Sequence, residues 1–446
     1  MNELSDAPKI DTSSATTPAA RLRVAYILHR FPCMSETFIA NEMYWLQAQN
    51  VEVSIFSLMS PKDGPVHDVA KELLPLTHYT PWFSMAIVWS QLYFLLHSPI
   101  RYSSAFVKVI RQTFREPKLA LLAVALFPKN VHLAREMKRL QIDHIHAHFV
   151  WLGGISASVI RELVGISFSL HPHAFGLFQR NQKDAKYELE LADYICTIAT
   201  YHRRKIVELC PKVNVENVHI VNLGIDTERM IPLSEARAIG DQPLRILTVG
   251  RPIEKKGHEY LIEACSHLVS RGIPFECEMM VGRGKEVEAL QKLVDRFELQ
   301  DRVRLIDFRD QQEVLKEYHK SDIFALACVM AKDGDRDGMP VVLIEAMACG
   351  LPVVTCPVSG IPDLVRDGEN GLLVGTRDAV SFADALERLI GDVNLREQLG
   401  DAARETVVDQ FEIRKTTTCL ASVFRQHSQP TQQSVPKQTA TEPVRL

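Results

Sequence analysis

Two cations and two carboxylates in the second half of the chain stand at spacings that suit one ligand. Arg251 and Lys256 lie in Gly250-Arg251-Pro252-Ile253-Glu254-Lys255-Lys256-Gly257, directly after the apolar run Leu244–Val249. Such a run reads as a buried parallel strand, and a loop at its end points side chains into a crevice. Guanidinium and ammonium groups placed there offset negative charge that grows on a departing oxygen. Downstream, Asp333-Gly334-Asp335-Arg336-Asp337-Gly338 is a polar loop, and Met339-Pro340 opens a helix that runs through Glu345 to Gly350. A helix N-terminus presents unpaired N–H groups and partial positive charge, which fits an anion. Asp337 sits at that mouth and Glu345 eight positions on, so both can face one bound molecule and accept its hydroxyl protons.

The first half carries a second constellation. A loop after the run Leu22–Leu28 offers Arg30, Ser35 and Glu36. Ser35 reads as the N-cap and Glu36 as a first-turn acid of a helix whose Phe38, Ile39, Glu42, Met43 and Leu46 recur at helical spacing. His146 and His148 end a strand in Ile142–Phe149, and His173 lies in the strand-to-loop passage Phe168–Phe178. A histidine-rich loop at strand ends is a better functional candidate than a lone histidine on an apolar face. No cysteine or E-x-x-H partner completes a ligand set, so no metal is expected.

These residues need strand ends to hold them. Short apolar runs alternate with helical patterns in both halves, which argues two doubly wound α/β sheets. The expected organisation is a disordered segment 1–20, a Rossmann-like domain 21–235 with a helical insertion 60–140, a second such domain 236–426 whose last helix can pack back on the first, and a disordered tail 427–446. Within the insertion, helices are expected at Leu119–Phe127 and Val131–Leu140 among others, and one long helix at Leu395–Phe424. Arg101, Lys108, Arg111, Arg115, Lys118, Lys129, Arg135, Lys138 and Arg139 stand among apolar neighbours there, a pattern that suits an anionic membrane surface. The most apolar run, Pro81–Leu96, is too short to span one.

A net charge of −4 over 446 residues leaves no nucleic-acid footprint. The nine cysteines are scattered and show no C-x-x-C, as in reduced core residues of a cytosolic protein, and the polar first twenty residues lack the apolar core of a signal peptide.

The stretch D-G-M-P-V-V-L-I-E-A-M-A-C-G-L-P-V, from Asp337 to Val353, resembles the donor-nucleotide signature of family 4 retaining glycosyltransferases, in which the first acid is usually Glu. G-R-P-I-E-K-K-G, the stretch Phe31–Leu46, I-H-A-H-F ending at Phe149, and the passage through His173 resemble further motifs of that family; Gly176 stands where its Asp is usual. The resemblance implies a GT-B fold, two Rossmann-like domains facing across a cleft. It implies that Arg251 and Lys256 grip a diphosphate, Glu345 the ribose and Asp337 the donor sugar, with Gly250, Gly282, Gly338, Met339 and Pro340 lining the donor site. His173 would be catalytic, and Arg30, Ser35, Glu36 and His148 would face the acceptor. The implied reaction is a metal-independent, retaining transfer from a UDP- or GDP-linked sugar, without further cofactor, to a lipid-linked or polysaccharide acceptor, in the cytoplasm at the inner face of the plasma membrane. The alternatives are a nucleotide-sugar epimerase or hydrolase and a non-catalytic scaffold subunit of the same fold.

Overall fold

A computed structural model describes residues 21–33, 36–61, 68–232, 243–307 and 311–428. The expected segment 1–20, the boundary at 235/236, Ser35 and residues 429–446 of the expected tail 427–446 lie outside these residues, whereas His427 ends the last helix and Ser428 is buried, so the ordered chain runs two residues further than expected.

Two parallel sheets form the frame. The first contains β1 (Leu22–Arg30), β2 (Val51–Met59), β3 (Thr77–Tyr79), β4 (His144–His148), β5 (Ser167–His171), β6 (Tyr194–Thr197) and β7 (Val218–Ile220), in the order β3-β2-β1-β4-β5-β6-β7. The second contains β8 (Leu244–Val249), β9 (Phe275–Met280), β10 (Val303–Ile306), β11 (Ile323–Leu326), β12 (Val353–Thr355) and β13 (Leu372–Leu373), in the order β10-β9-β8-β11-β12-β13. In each sheet the chain winds outward from the first strand, then returns to its other side. The direction of winding therefore reverses between β1 and β4 and between β8 and β11. Loops leaving the carboxyl ends of those strands diverge and open a crevice, where ligands of such sheets bind. The loops that follow Leu22–Arg30, His148, Val249 and Leu326 leave these four strands, and the passage through His173 leaves the neighbouring β5.

Burial explains the elements. β1 is covered on both faces, with Val24, Ala25, Tyr26, Ile27 and Leu28 all buried, as expected of a central parallel strand. One helix, Pro117–Arg139, replaces the two expected over Leu119–Leu140. Its apolar face continues across Pro128 through Leu126, Phe127, Val131, Ala134 and Met137, and that burial outweighs a helix-interior proline cost of ~3 kcal/mol. Lys129 is buried on the same helix and donates to the Leu58 carbonyl at 2.7 Å, so it is not part of a basic surface. The single C-terminal helix expected is two, Val393–Gln410 and Ile413–His427. The break has a cause: Glu412 accepts from the backbone N–H groups of Arg414 and Lys415, and Ile225 bonds to Phe411 and Ile413 on either side. A glutamate is an uncommon cap, which hid the boundary. Of the nine cysteines seven are buried, whereas Cys33 is half-buried and Cys419 exposed, so the expectation of core cysteines fails at these two.

The last helix crosses to the first lobe. Leu420, Ala421, Val423 and Phe424 pack in one apolar cluster with Val24, Tyr26, Ile39 and Met43. Removing the fully buried Phe424 ring by Phe424→Ala should lower the unfolding free energy by ~3–5 kcal/mol, read from denaturant melts; a loss below ~1 kcal/mol would show that this helix does not hold the lobes.

Candidate active site

The loop after β8 is rigid for identifiable reasons. Its 3-10 turn Glu254–Lys256 ends at Gly257, whose φ of +63° favours glycine. A Cβ there would lie 1.8 Å from the Ala327 carbonyl oxygen, so only glycine lets this loop meet the end of β11. His258, the first residue of the next helix, bonds through Nε2 to the carbonyls of Gly250 and Arg251 at 3.1 Å each. Both atoms are acceptors, so Nε2 carries the proton. The stem of Lys256 packs over Gly250, where an added Cβ would touch it at 3.2 Å.

Lys256 and Asp337 meet at the switch point of the second sheet. The Lys256 Nζ lies 2.7 Å from Asp337 Oδ2, and Lys255 Nζ lies 3.6 Å from Asp337 Oδ1 and 3.1 Å from Asp335. Burial alone would push the Lys256 ammonium down and the Asp337 carboxyl up; their mutual attraction reverses both, raising the first and lowering the second. Both groups are thus held charged. The loop's remaining acids are engaged: Asp335 with Lys255, and Asp333 with the Asp335 backbone N–H at 2.9 Å. Arg251 is exposed.

The helix Val341–Ala348 begins after Pro340, which is its N-cap rather than its first residue. It closes at Gly350, φ +77°, with Leu351 N–H bonded to the Ala346 carbonyl. Glu345 is buried, and the Tyr318 hydroxyl lies 3.0 Å from its Oε2. Tyr318, which bonds Glu345, and His258, which ties the Gly250–Arg251 backbone, escaped the sequence reading; His258 adjoins the K-K-G motif and could have been found there, whereas Tyr318 is brought in from a separate helix. Gly282, φ +80°, ends β9, and the neighbouring Arg283 pairs with Asp307 at 2.5 Å.

Gly338 and Gly360 join the lobes. A Cβ on Gly338 would strike the His202 ring at 2.6 Å, and Arg336 lies over the Phe178 ring at 4.5 Å while donating to the Tyr201 hydroxyl at 3.1 Å. The signature loop is therefore set against the first lobe as well as its own.

In the first lobe, β4 and β5 carry four buried histidines side by side. His148 Nδ1 is 3.0 Å from His173 Nε2, and His148 Nε2 is 3.1 Å from Glu42 Oε1, which also accepts from the Tyr26 hydroxyl at 2.8 Å. Burial holds His173 and His146 well below their ordinary value and lowers His171 to about 3, so these rings are neutral. Glu36 is half-buried, with its carboxyl raised by burial against the lowering effect of nearby His148. Arg30 donates to the Ser60 carbonyl, which ties it to the loop after β2. Gly176 has a packing explanation: an added Cβ would meet Val150 at 2.9 Å, leaving no room for the usual aspartate. No ligand set was legible in the sequence, yet Glu42, His146, His148 and His171 each offer a ligand atom within 4.8 Å of the others. Glu42, the one acid in an apolar helical repeat, was the overlooked signal.

Comparison with known proteins bears on this geometry. Residues 232–406 match the family model described as "Glycosyl transferases group 1". WcaL of Escherichia coli (strain K12), named as a colanic acid biosynthesis glycosyltransferase, is 28% identical over 418 residues, 91% of this chain and 100% of the relative. AmsK of Erwinia amylovora, named as an amylovoran biosynthesis glycosyltransferase, is 33% identical over 266 residues, 58% of this chain and 63% of the relative. The chain is a glycosyltransferase with a group 1 domain. The enzyme's fold is GT-B: it superposes on Anabaena HepE in complex with UDP with a TM-score of 0.68 at 14% identity, covering 91% of this chain and 100% of that one. A sucrose-phosphate synthase from Thermosynechococcus elongatus gives 0.69 at 20% identity, covering 91% and 99%.

The buried histidines give the enzyme an acid sensitivity. His202 and His258 are each lowered from 6.5 to about 4 by burial. Between those values the unfolded chain binds the extra protons, so stability rises with pH and is lost as pH falls from ~6.5 toward ~4. Each histidine should cost on the order of 1–2 kcal/mol by pH ~5. Urea midpoints at pH ~7.5 and ~5 test this; an unchanged midpoint would contradict the neutral, buried state.

Proposed function

We propose that the enzyme transfers a sugar, with retention of anomeric configuration, from a UDP- or GDP-linked donor to a lipid-linked or polysaccharide acceptor in surface or exopolysaccharide biosynthesis. The observation that carries the donor side is the Lys256–Asp337 pair at the mouth of the helix bearing Glu345. When a nucleotide sugar binds, its diphosphate meets Lys256 and Arg251, and the ammonium offsets charge growing on the leaving phosphate oxygen. Asp337, relieved of its cation, accepts from a sugar hydroxyl, and Glu345, oriented by Tyr318, accepts from the ribose. No divalent ion is needed at the diphosphate, because Lys256, Lys255 and Arg251 bring the positive charge. Asp335 of the D-x-D triplet is already paired with Lys255. His173 faces the acceptor side, backed by His148 and Glu42.

Retention is supported by the resemblance of the signature motifs. The base is left open by the relatives: HepE was solved with UDP and UDP-glucose, and a 26% identical Mycolicibacterium smegmatis relative is named as a GDP-mannose-dependent phosphatidylinositol monomannoside mannosyltransferase. The names of WcaL and AmsK support a polysaccharide pathway.

A membrane-facing acceptor fits the helical insertion. Trp82, Phe83, Met85, Trp89, Leu96, Ile100, Phe114 and Leu121 are exposed there, with Phe83 at 80% and Ile100 at 84%, beside exposed Arg101, Arg111 and Lys118. An apolar patch edged with cations suits shallow insertion among anionic headgroups. Among the described residues no helix is long and apolar enough to cross a membrane.

Two tests follow. A thermal-shift screen with UDP-, GDP- and ADP-sugars identifies the donor; with it, Lys256→Ala should lose ~100-fold or more in kcat, equivalent to about 3 kcal/mol, and added Mg²⁺ should leave kcat unchanged. Near-normal turnover in Lys256→Ala would contradict the assignment, and donor consumed without acceptor would favour a hydrolase or epimerase. The chain should co-sediment with phosphatidylglycerol vesicles at low salt and be released by high salt or by Phe83→Asp with Ile100→Asp; no binding at low salt would remove the membrane from the account.

A further inference from the structure

We propose that Glu42, His146, His148 and His171 form a closed site for a divalent transition cation of the zinc class, within the first lobe and separate from the donor diphosphate. Three of the four side chains are essentially inaccessible, and Glu42 is largely so. The four ligand atoms lie within 4.8 Å of one another. Tetrahedral zinc with bonds of ~2.0–2.2 Å places its ligand atoms ~3.3 Å apart. His148 Nε2 and Glu42 Oε1, at 3.1 Å, already have that spacing. The others reach it by imidazole rotations that move a nitrogen ~1 Å, well within side-chain reach.

The surrounding hydrogen bonds leave the inward atoms available. His146 engages Ser169 Oγ through Nδ1 at 2.7 Å, and its Nε2 has no partner. His148 turns Nδ1 toward His173, leaving Nε2 toward Glu42. His171 has no partner at either ring nitrogen. Tyr26 donates to the Glu42 carboxylate. Ring nitrogens buried without partners are disfavoured, and outer hydrogen bonds of this kind orient metal-binding imidazoles. A cation satisfies His146 and His171 together and balances the Glu42 charge.

Four protein ligands leave no open position, the arrangement of a structural rather than a hydrolytic ion. The ion would join the first helix to β4 and β5. Its bond to His148 Nε2 leaves the proton on Nδ1, which then donates to His173 Nε2 and fixes the tautomer of that ring. Phe424 of the returning C-terminal helix packs 5.0 Å from the His146 ring, so the site also lies against the joint between lobes.

The test uses the full chain purified without a metal-affinity step, stripped with a chelator and titrated with ZnSO4 against a chromophoric competitor. One equivalent should bind with sub-micromolar affinity and raise Tm by several degrees. Glu42→Gln and His171→Gln should each weaken that equivalent ~100-fold or more, with the far-ultraviolet spectrum retained. Wild-type affinity in both variants, or no tight equivalent in the wild type, overturns the proposal. Should the variants fail to fold, X-ray absorption of the zinc-loaded wild type decides: nitrogen and oxygen ligation with three imidazoles supports the site, and sulfur ligation overturns it.

Discussion

One half-buried ion pair organises the second lobe. Lys256 and Asp337 come from loops after β8 and β11, strands that are hydrogen-bonded neighbours because the winding of the sheet reverses between them. A lysine and an aspartate so enclosed keep their charges only while they face each other, since desolvation works against each alone. On the function proposed above, an incoming diphosphate divides this matched charge. The pair's geometry depends on Gly257, which lets the backbone touch Ala327, and on His258, whose one proton is shared between two loop carbonyls.

The first lobe solves a different problem. Its central strands end in histidines with no cationic partner among them, stacked at ring distances of 4.9 to 5.3 Å across His148, His171 and His173. Neutral imidazoles tolerate burial better than charged ones, and the Glu42 carboxylate is shared between His148 and Tyr26. The returning helix then covers this face with Phe424, and the signature loop reaches across through Arg336 and Gly338. The candidate residues of both lobes are thereby carried by one continuous set of contacts.

Much of this was legible in the sequence because strand ends, glycine-bounded loops and a helix start are local signals. The candidate residues Arg251, Lys256, Asp337 and Glu345 were singled out by spacing, and the alternation of apolar runs disclosed both sheets. What was hidden depends on tertiary contact. Glu412 acts as a helix cap only because Ile225 pairs with the backbone around it. Pro128 sits inside a helix because the faces before and after it are buried together. Glu42 looked like one polar residue in an apolar stripe until β4 and β5 placed three histidines against it. The departure at Gly176 was visible as a letter, while its reason, a crowded Val150, required coordinates, as did the place of Pro340 at the cap rather than inside the helix.

On the proposed function, the lysine leaves its aspartate for a phosphate. A crystal structure of the chain with UDP or GDP tests it most directly. The diphosphate is expected within hydrogen-bond reach of Lys256 Nζ and the Arg251 guanidinium, with the ribose hydroxyls on Glu345 and the Lys256–Asp337 contact lengthened. A nucleotide bound away from β8 and β11, or a diphosphate that touches neither cation, would contradict it.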